Sequence, residues 1–222
     1  MSPAGSSMGF RSVLFDFDYT LADSSVGVIE CMNYALGCLG SAAADPGSIR
    51  ALIGVSLRDT YRQLSGDLEG ARYAEFERHF IERGDQVMLD GVRLYDSVRP
   101  TVQALLAAEL SLGIVSTKYR RRIEEVLDRE GLRQAFAVIV GGEDVVAHKP
   151  DPMSLNAALD RLQRDPGEAL YVGDSVIDAQ TARAAGVPFA AVLSGVTPRE
   201  DLAGYQPLAI LDDLGDLLEV AL

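Results

Sequence analysis

The sequence predicts an α/β protein in which a parallel sheet, covered by helices on both faces, carries an inserted block of helices. Three observations lead there. A short apolar run rich in strand formers stands at residues 13–17. Apolar residues then recur at helical spacing over about residues 26–90. From residue 98 onward, helical and strand patterns alternate, and such alternation builds a parallel sheet flanked by helices.

The first strand reads Val-Leu-Phe-Asp-Phe and ends in acids rather than in a turn, Asp16 being followed by Asp18. Asp23-Ser24 has the composition of a helix start. In the helical stretch Val26, Ile29 and Leu36, then Tyr73, Phe76, Phe80 and Val87, fall at helical spacing. The breakers Asp45-Pro46-Gly47 and Ser65-Gly66-Asp67 divide it into several helices. Next come a helix over 98–110 and a strand over 112–115. A helix over 120–130, stopped by Gly131, leads to a strand over 137–140. A helix over 152–162 leads to a strand over 169–172. A helix over 176–185, stopped by Gly186, leads to a strand over 189–193. A last strand at 208–210 and a C-terminal helix close the pattern. The expected division is a flexible tail at 1–9, a catalytic core at 10–24 and 91–222, and a helical cap at 25–90.

Composition narrows the function. A formal net charge of −13 argues against nucleic acid or an anionic membrane as partner, since both require a basic surface. No apolar run approaches the roughly 18 residues of a membrane span. The first nine residues lack the basic and apolar regions of a signal peptide. Cys31 and Cys38 lie seven positions apart, about 10 Å along a helix axis. A disulfide needs Cα atoms within about 7 Å, so free thiols and a reducing, cytoplasmic setting are expected. His79 and His148 are the only histidines, and neither has a zinc-ligand spacing.

Four polar clusters sit where the expected strands end: Asp16 with Asp18, Ser116 with Thr117, His148-Lys149-Pro150, and Asp174 with Asp178. In open α/β sheets ligands bind beyond the carboxyl ends of the strands, so the four stretches are expected to meet in one crevice. An acid embedded in Val-Leu-Phe-Asp-Phe-Asp is costly without a partner, which favours a functional over an incidental role.

In this order, Phe15-Asp16-Phe17-Asp18-Tyr19-Thr20-Leu21, Ser116, Lys149-Pro150 and Gly173-Asp174-Ser175 with Asp178 resemble the four motifs of haloacid dehalogenase-like phosphatases. The likeness spans about residues 10–195. It implies a Rossmann-like core with a helical cap, a phosphate-ester substrate and Mg²⁺. It also implies roles. Asp16 is the nucleophile, forming a covalent aspartyl-phosphate. Asp18 protonates the leaving oxygen and later activates water. Asp16, Asp174 and the backbone carbonyl of Asp18 hold the metal with hard oxygen donors. Lys149 neutralises charge on the phosphoryl group, and Ser116 and Thr117 contact the same group. Asp178 stands behind the metal site, one helical turn past Asp174; a plain capping box with Ser175 is the bland alternative.

Two departures stand out. Tyr19 occupies a position where these phosphatases usually have glycine, and Thr117 one where asparagine is common. The presence of Asp18 disfavours dehalogenation. Hydrolysis of a small phosphomonoester, as by phosphoglycolate phosphatases, is the leading expectation. A β-phosphoglucomutase-like mutase and a pyrophosphatase are the alternatives, and Thr20 looks more like the phosphatases than the mutase. A non-catalytic binding module is least expected, because every core position is filled. Within the cap, Ile53-Gly54-Val55-Ser56-Leu57-Arg58 resembles a substrate-facing loop. Arg58 there would grip a carboxylate or second phosphate with its planar fork, unless it merely pairs with Asp59 or solvent.

Overall fold

The computed structural model describes residues 9–222. The expected tail at 1–9 therefore lies, except for Gly9, outside the described residues. In chain order the elements begin with β1 (Ser12–Phe15), β2 (Ala22–Asp23), α1 (Ser25–Cys38), α2 (Pro46–Arg50), α3 (Leu57–Ser65) and α4 (Tyr73–Val87). They continue with β3 (Arg93–Leu94), α5 (Val98–Ala107), β4 (Ser111–Val115), α6 (Arg120–Arg129), β5 (Val138–Val140) and α7 (Met153–Leu162). The last are β6 (Ala169–Gly173), α8 (Val176–Ala185), β7 (Phe189–Val192), α9 (Arg199–Ala203), β8 (Ala209–Leu211) and α10 (Leu218–Ala221).

Six strands form one parallel sheet in the order β5-β4-β1-β6-β7-β8. β1 lies at its centre, hydrogen-bonded to β4 on one side and β6 on the other. Its side chains alternate between faces as a strand requires. Val13 and Phe15 join one buried cluster, which continues into the helical insertion through Val28, Met32, Leu36 and Phe76. Leu14 joins the other, packed with Tyr171, Leu155 and Ala182 under α7 and α8. A Rossmann-like layer arrangement follows, with helices on both faces of the sheet. The helices α1–α4 sit between β2 and β3, and these two short strands pair antiparallel where the chain leaves and re-enters the core.

Two boundaries differ from the expectation for a local reason. β1 stops at Phe15 rather than residue 17, because the Phe17 carbonyl accepts from the amides of Thr20, Leu21 and Ala22 and bends the chain away from the sheet. Helix α5 stops at Ala107 rather than residue 110. Glu109 adopts φ 62° and the Leu110 amide donates back to Leu105, a left-handed helix end. The short helix α9 carries no periodicity long enough to be read from sequence. Cys31 and Cys38 are both free.

Candidate active site

The sheet brings three of the four polar clusters onto the ends of neighbouring central strands. Asp16 follows β1, Ser116 follows β4 and Asp174 follows β6. Lys149 arrives from the loop between β5 and α7, and its peptide bond to Pro150 is cis.

Lys149 is the hub. Its Nζ lies 3.0 Å from Asp16 Oδ1 and 2.7 Å from Asp178 Oδ1, with only 2% of its side chain exposed. The approach to Asp16 is an ion pair without hydrogen-bond direction, so Asp16 Oδ1 has no hydrogen-bond donor. Lys149 also donates to the Tyr171 hydroxyl at 3.0 Å. That hydroxyl has one proton and two acceptors in reach, Asp178 Oδ1 at 2.9 Å and the Val115 carbonyl at 3.2 Å. Asp178 closes the network with its other oxygen, which accepts from the Ser175 hydroxyl and amide while Ser175 Oγ accepts from the Asp178 amide. The capping box and the buried network are thus the same residue's two carboxylate oxygens. Gly173 makes room for this: a Cβ there would stand 2.5 Å from Asp178 Cβ.

Asp16, Asp174 and Asp178 each offer a carboxylate oxygen within 4.8 Å of the others, and all three are buried. Thr20 donates to Asp174 at 3.1 Å. The electrostatics are those of a site short of positive charge. Burial pushes the Asp16 pKa up to about 7, against the pull of Lys149, while Asp178 and Asp18 add repulsion. Burial, then repulsion from Asp178 and Asp16, holds Asp174 well above the usual carboxylate range. Burial alone would discharge Lys149, but Asp16 and Asp178 outweigh it and hold its pKa well above the ordinary lysine value. Three clustered buried acids against one ammonium, all with hard oxygen donors, suit a small divalent cation such as Mg²⁺.

Asp18 is placed differently. Its carboxylate turns to Lys118 Nζ, 3.0 Å away, and its side chain is not among the three clustered acids. Sequence reasoning passed over Lys118. Ser116 is buried beside it, and its Oγ accepts from the Lys118 amide at 3.3 Å. Thr117 points elsewhere: its hydroxyl donates to the Gly54 carbonyl of the insertion at 3.1 Å. Arg58 is exposed and pairs with no carboxylate among the described residues. Asp59 binds Arg62 instead, and the Arg58 guanidinium lies over the Tyr73 ring, 4.2 Å from its centroid. Tyr19 has φ 61°, the left-handed conformation that glycine adopts freely, and its carbonyl accepts from Ser194 Oγ. Gly195 presses on the acidic cluster, since a Cβ there would stand 1.9 Å from Asp174 Oδ2. Neither Tyr171 nor Gly195 carried a motif signal.

A cavity of about 790 Å³ opens from this site into the insertion, lined by Asp18, Thr117, Lys118 and His148 on one side and by Arg58 and Tyr73 on the other. No helix of the described residues is long and apolar enough to cross a membrane.

Residues 13–192 match the sequence profile of the haloacid dehalogenase-like hydrolases. The chain is 31% identical to the phosphoglycolate phosphatase of Yersinia pseudotuberculosis, over 94% of this chain and 91% of that one. It is 32% identical to the pyrophosphatase PpaX of Bacillus mycoides, over 96% and 97%. Among solved structures, a Bacteroides fragilis protein described as a haloacid dehalogenase-like hydrolase superposes with a TM-score of 0.91 at 39% identity, covering 94% of this chain and 99% of that one. A Haemophilus somnus protein, predicted to be a phosphoglycolate phosphatase, superposes with a TM-score of 0.86 at 25% identity, covering 98% and 100%.

Proposed function

Because this chain belongs to the haloacid dehalogenase-like hydrolases and is a phosphatase of that family, we propose that it hydrolyses a small phosphomonoester through an aspartyl-phosphate on Asp16, with Mg²⁺ as cofactor. The observation that carries this reading is the meeting of Asp16, Asp174, Asp178 and Lys149 in one buried group beyond the central strands.

Asp16 attacks phosphorus. Lys149 offsets the negative charge of the nucleophile and of the phosphoryl oxygens. Ser116 Oγ, which accepts from the Lys118 amide, keeps its own proton for a phosphoryl oxygen. Asp18 gives a proton to the leaving oxygen and then takes one from the attacking water. Asp16, Asp174 and the Asp18 carbonyl would hold Mg²⁺, with Asp178 behind them orienting Lys149. When bound, the ion supplies positive charge to the phosphoryl oxygens.

The division into a core at 10–24 and 91–222 and a cap at 25–90 fits this chemistry. The cap roofs the crevice and excludes bulk water. Thr117 joins core to cap at Gly54, and Arg58 meets the outer part of the substrate. Two free cysteines suit a cytoplasmic setting.

2-Phosphoglycolate is the first substrate to test, since relatives bear that name. Phosphate release from a phosphometabolite panel with Mg²⁺ tests the reading. Activity that persists in EDTA, or in Asp16→Asn, would overturn it. A pyrophosphatase is the second reading, favoured by the Bacillus mycoides relative. Turnover of inorganic pyrophosphate well above that of every monoester would select it.

A further inference from the structure

We infer that the alcohol half of the substrate is a bulky apolar or aromatic body, about the size of a nucleoside, rather than a two-carbon acid. The inference rests on the phosphatase reading and concerns the same site.

The cavity measures about 790 Å³. Pockets for drug-sized ligands span roughly 300–1,000 Å³. A two-carbon phospho-acid would occupy only the end at Asp18.

This volume is not the gap of a parted cap. Insertion and core already touch around it. Thr117 Oγ1 donates to the Gly54 carbonyl at 3.1 Å, and the Tyr119 hydroxyl donates to Glu77 Oε1 at 2.8 Å. Arg122 of α6 pairs with Asp85 of α4 and reaches the Ile81 carbonyl at 3.4 Å. The space persists with these ties made.

Part of its wall on the insertion side is apolar, formed by Val28, Met32, Ile53, Val55, Phe80 and Met88, beside the polar Ser56, Arg58, Asp59, Arg62 and Glu77. A small anionic substrate would leave that wall facing water, whereas an apolar body would cover it. The polar groups divide by position. Lys118, Thr117 and His148 belong to the core side. On the far side the Arg58 guanidinium lies over the Tyr73 ring, and such a guanidinium can stack on a planar ligand. Of the carboxylates on that side, Glu77 already accepts from Tyr73 at 2.7 Å and from Tyr119, and Asp59 is paired with Arg62. A phosphate at one end and a flat or apolar body at the other match these surfaces.

The test is a series of phosphate esters of primary alcohols, which share the same CH₂–O–P link: ethyl phosphate, 2-phosphoglycolate, 2-phenylethyl phosphate and a nucleoside 5′-monophosphate. With Mg²⁺ present, kcat/KM should rise about tenfold or more from the first two to at least one of the last two, the scale set by burying one large apolar group. In Phe80→Ala the ratio of 2-phenylethyl to ethyl phosphate should fall toward one; a ratio within one variant does not depend on how much of it is folded. A preference for 2-phosphoglycolate, a flat series, or a ratio unchanged in Phe80→Ala would overturn the inference while leaving the phosphatase reading intact. Release of phosphate from no ester at all would remove the phosphatase reading, and this inference with it.

Discussion

Lys118 Nζ lies 3.0 Å from Asp18 Oδ1, with the two side chains only 7% and 8% exposed. The lysine also sits 5.9 Å from the Phe17 ring centroid, so it is enclosed by the loop that carries the acid. Removing one member of such a pair leaves the other buried and uncompensated, which typically costs about 3–5 kcal/mol. Lys118→Met should therefore lower stability by about that amount in urea unfolding. Adding Asp18→Asn should restore part of the loss, the sign of direct coupling. Wild-type stability in Lys118→Met would show that the pair carries no such energy.

Gly195 tests the acidic cluster from outside the motifs. A Cβ at 1.9 Å from Asp174 Oδ2 must displace that carboxylate. Gly195→Ala should weaken Mg²⁺ affinity about 10–100-fold, the range seen when the support of a ligand is disturbed. Titration calorimetry measures this. Unchanged affinity would detach Asp174 from the metal.

The pH dependence follows from the raised acids. Asp16 binds a proton in the folded chain up to about pH 7, whereas the unfolded chain releases it near the ordinary value of 3.8. The metal-free protein accordingly loses stability as pH rises through that window. Mg²⁺ must displace the same protons, so its stabilisation grows with pH. The rise in Tm on adding Mg²⁺ should be larger at about pH 8 than at about pH 5. An equal rise at both would place the ion elsewhere.

The sheet and the meeting of Asp16 and Asp174 were legible because both follow central strands, and the parallel sheet gathers strand ends by construction; Lys149 reaches them from the loop between β5 and α7 and was legible only through its motif. Asp178 was legible as a capping residue, and its position one helical turn past Asp174 pointed to the site. Lys118 was not legible. It follows β4 in a turn whose direction is set by Ser116 Oγ on its amide and the Gly142 amide on its carbonyl, contacts that only the fold supplies. Tyr171 reads as one more apolar strand residue until Lys149 reaches its hydroxyl from a distant loop. The rotation of Thr117 toward Gly54 depends on how the insertion docks, which no local pattern encodes.

The acid–base role of Asp18 predicts a graded defect. Asp18→Asn should slow esters of poor leaving groups far more than p-nitrophenyl phosphate, whose leaving group needs no proton. Steady-state kcat/KM across a leaving-group series reads this directly. An equal loss across the series would mean that Asp18 acts only through its pair with Lys118.

The covalent step on Asp16 is tested most directly by rapid acid quench of the enzyme during turnover of a ³²P-labelled ester. The label should appear on the peptide carrying Asp16, should be released by hydroxylamine as an acyl-phosphate is, and, for an ester whose leaving group needs no proton, should accumulate further in Asp18→Asn, where water attack is slowed. Asp16→Asn should carry none and release no phosphate. Steady phosphate release with no labelled protein in either the wild type or Asp18→Asn, together with an active Asp16→Asn, would contradict the account.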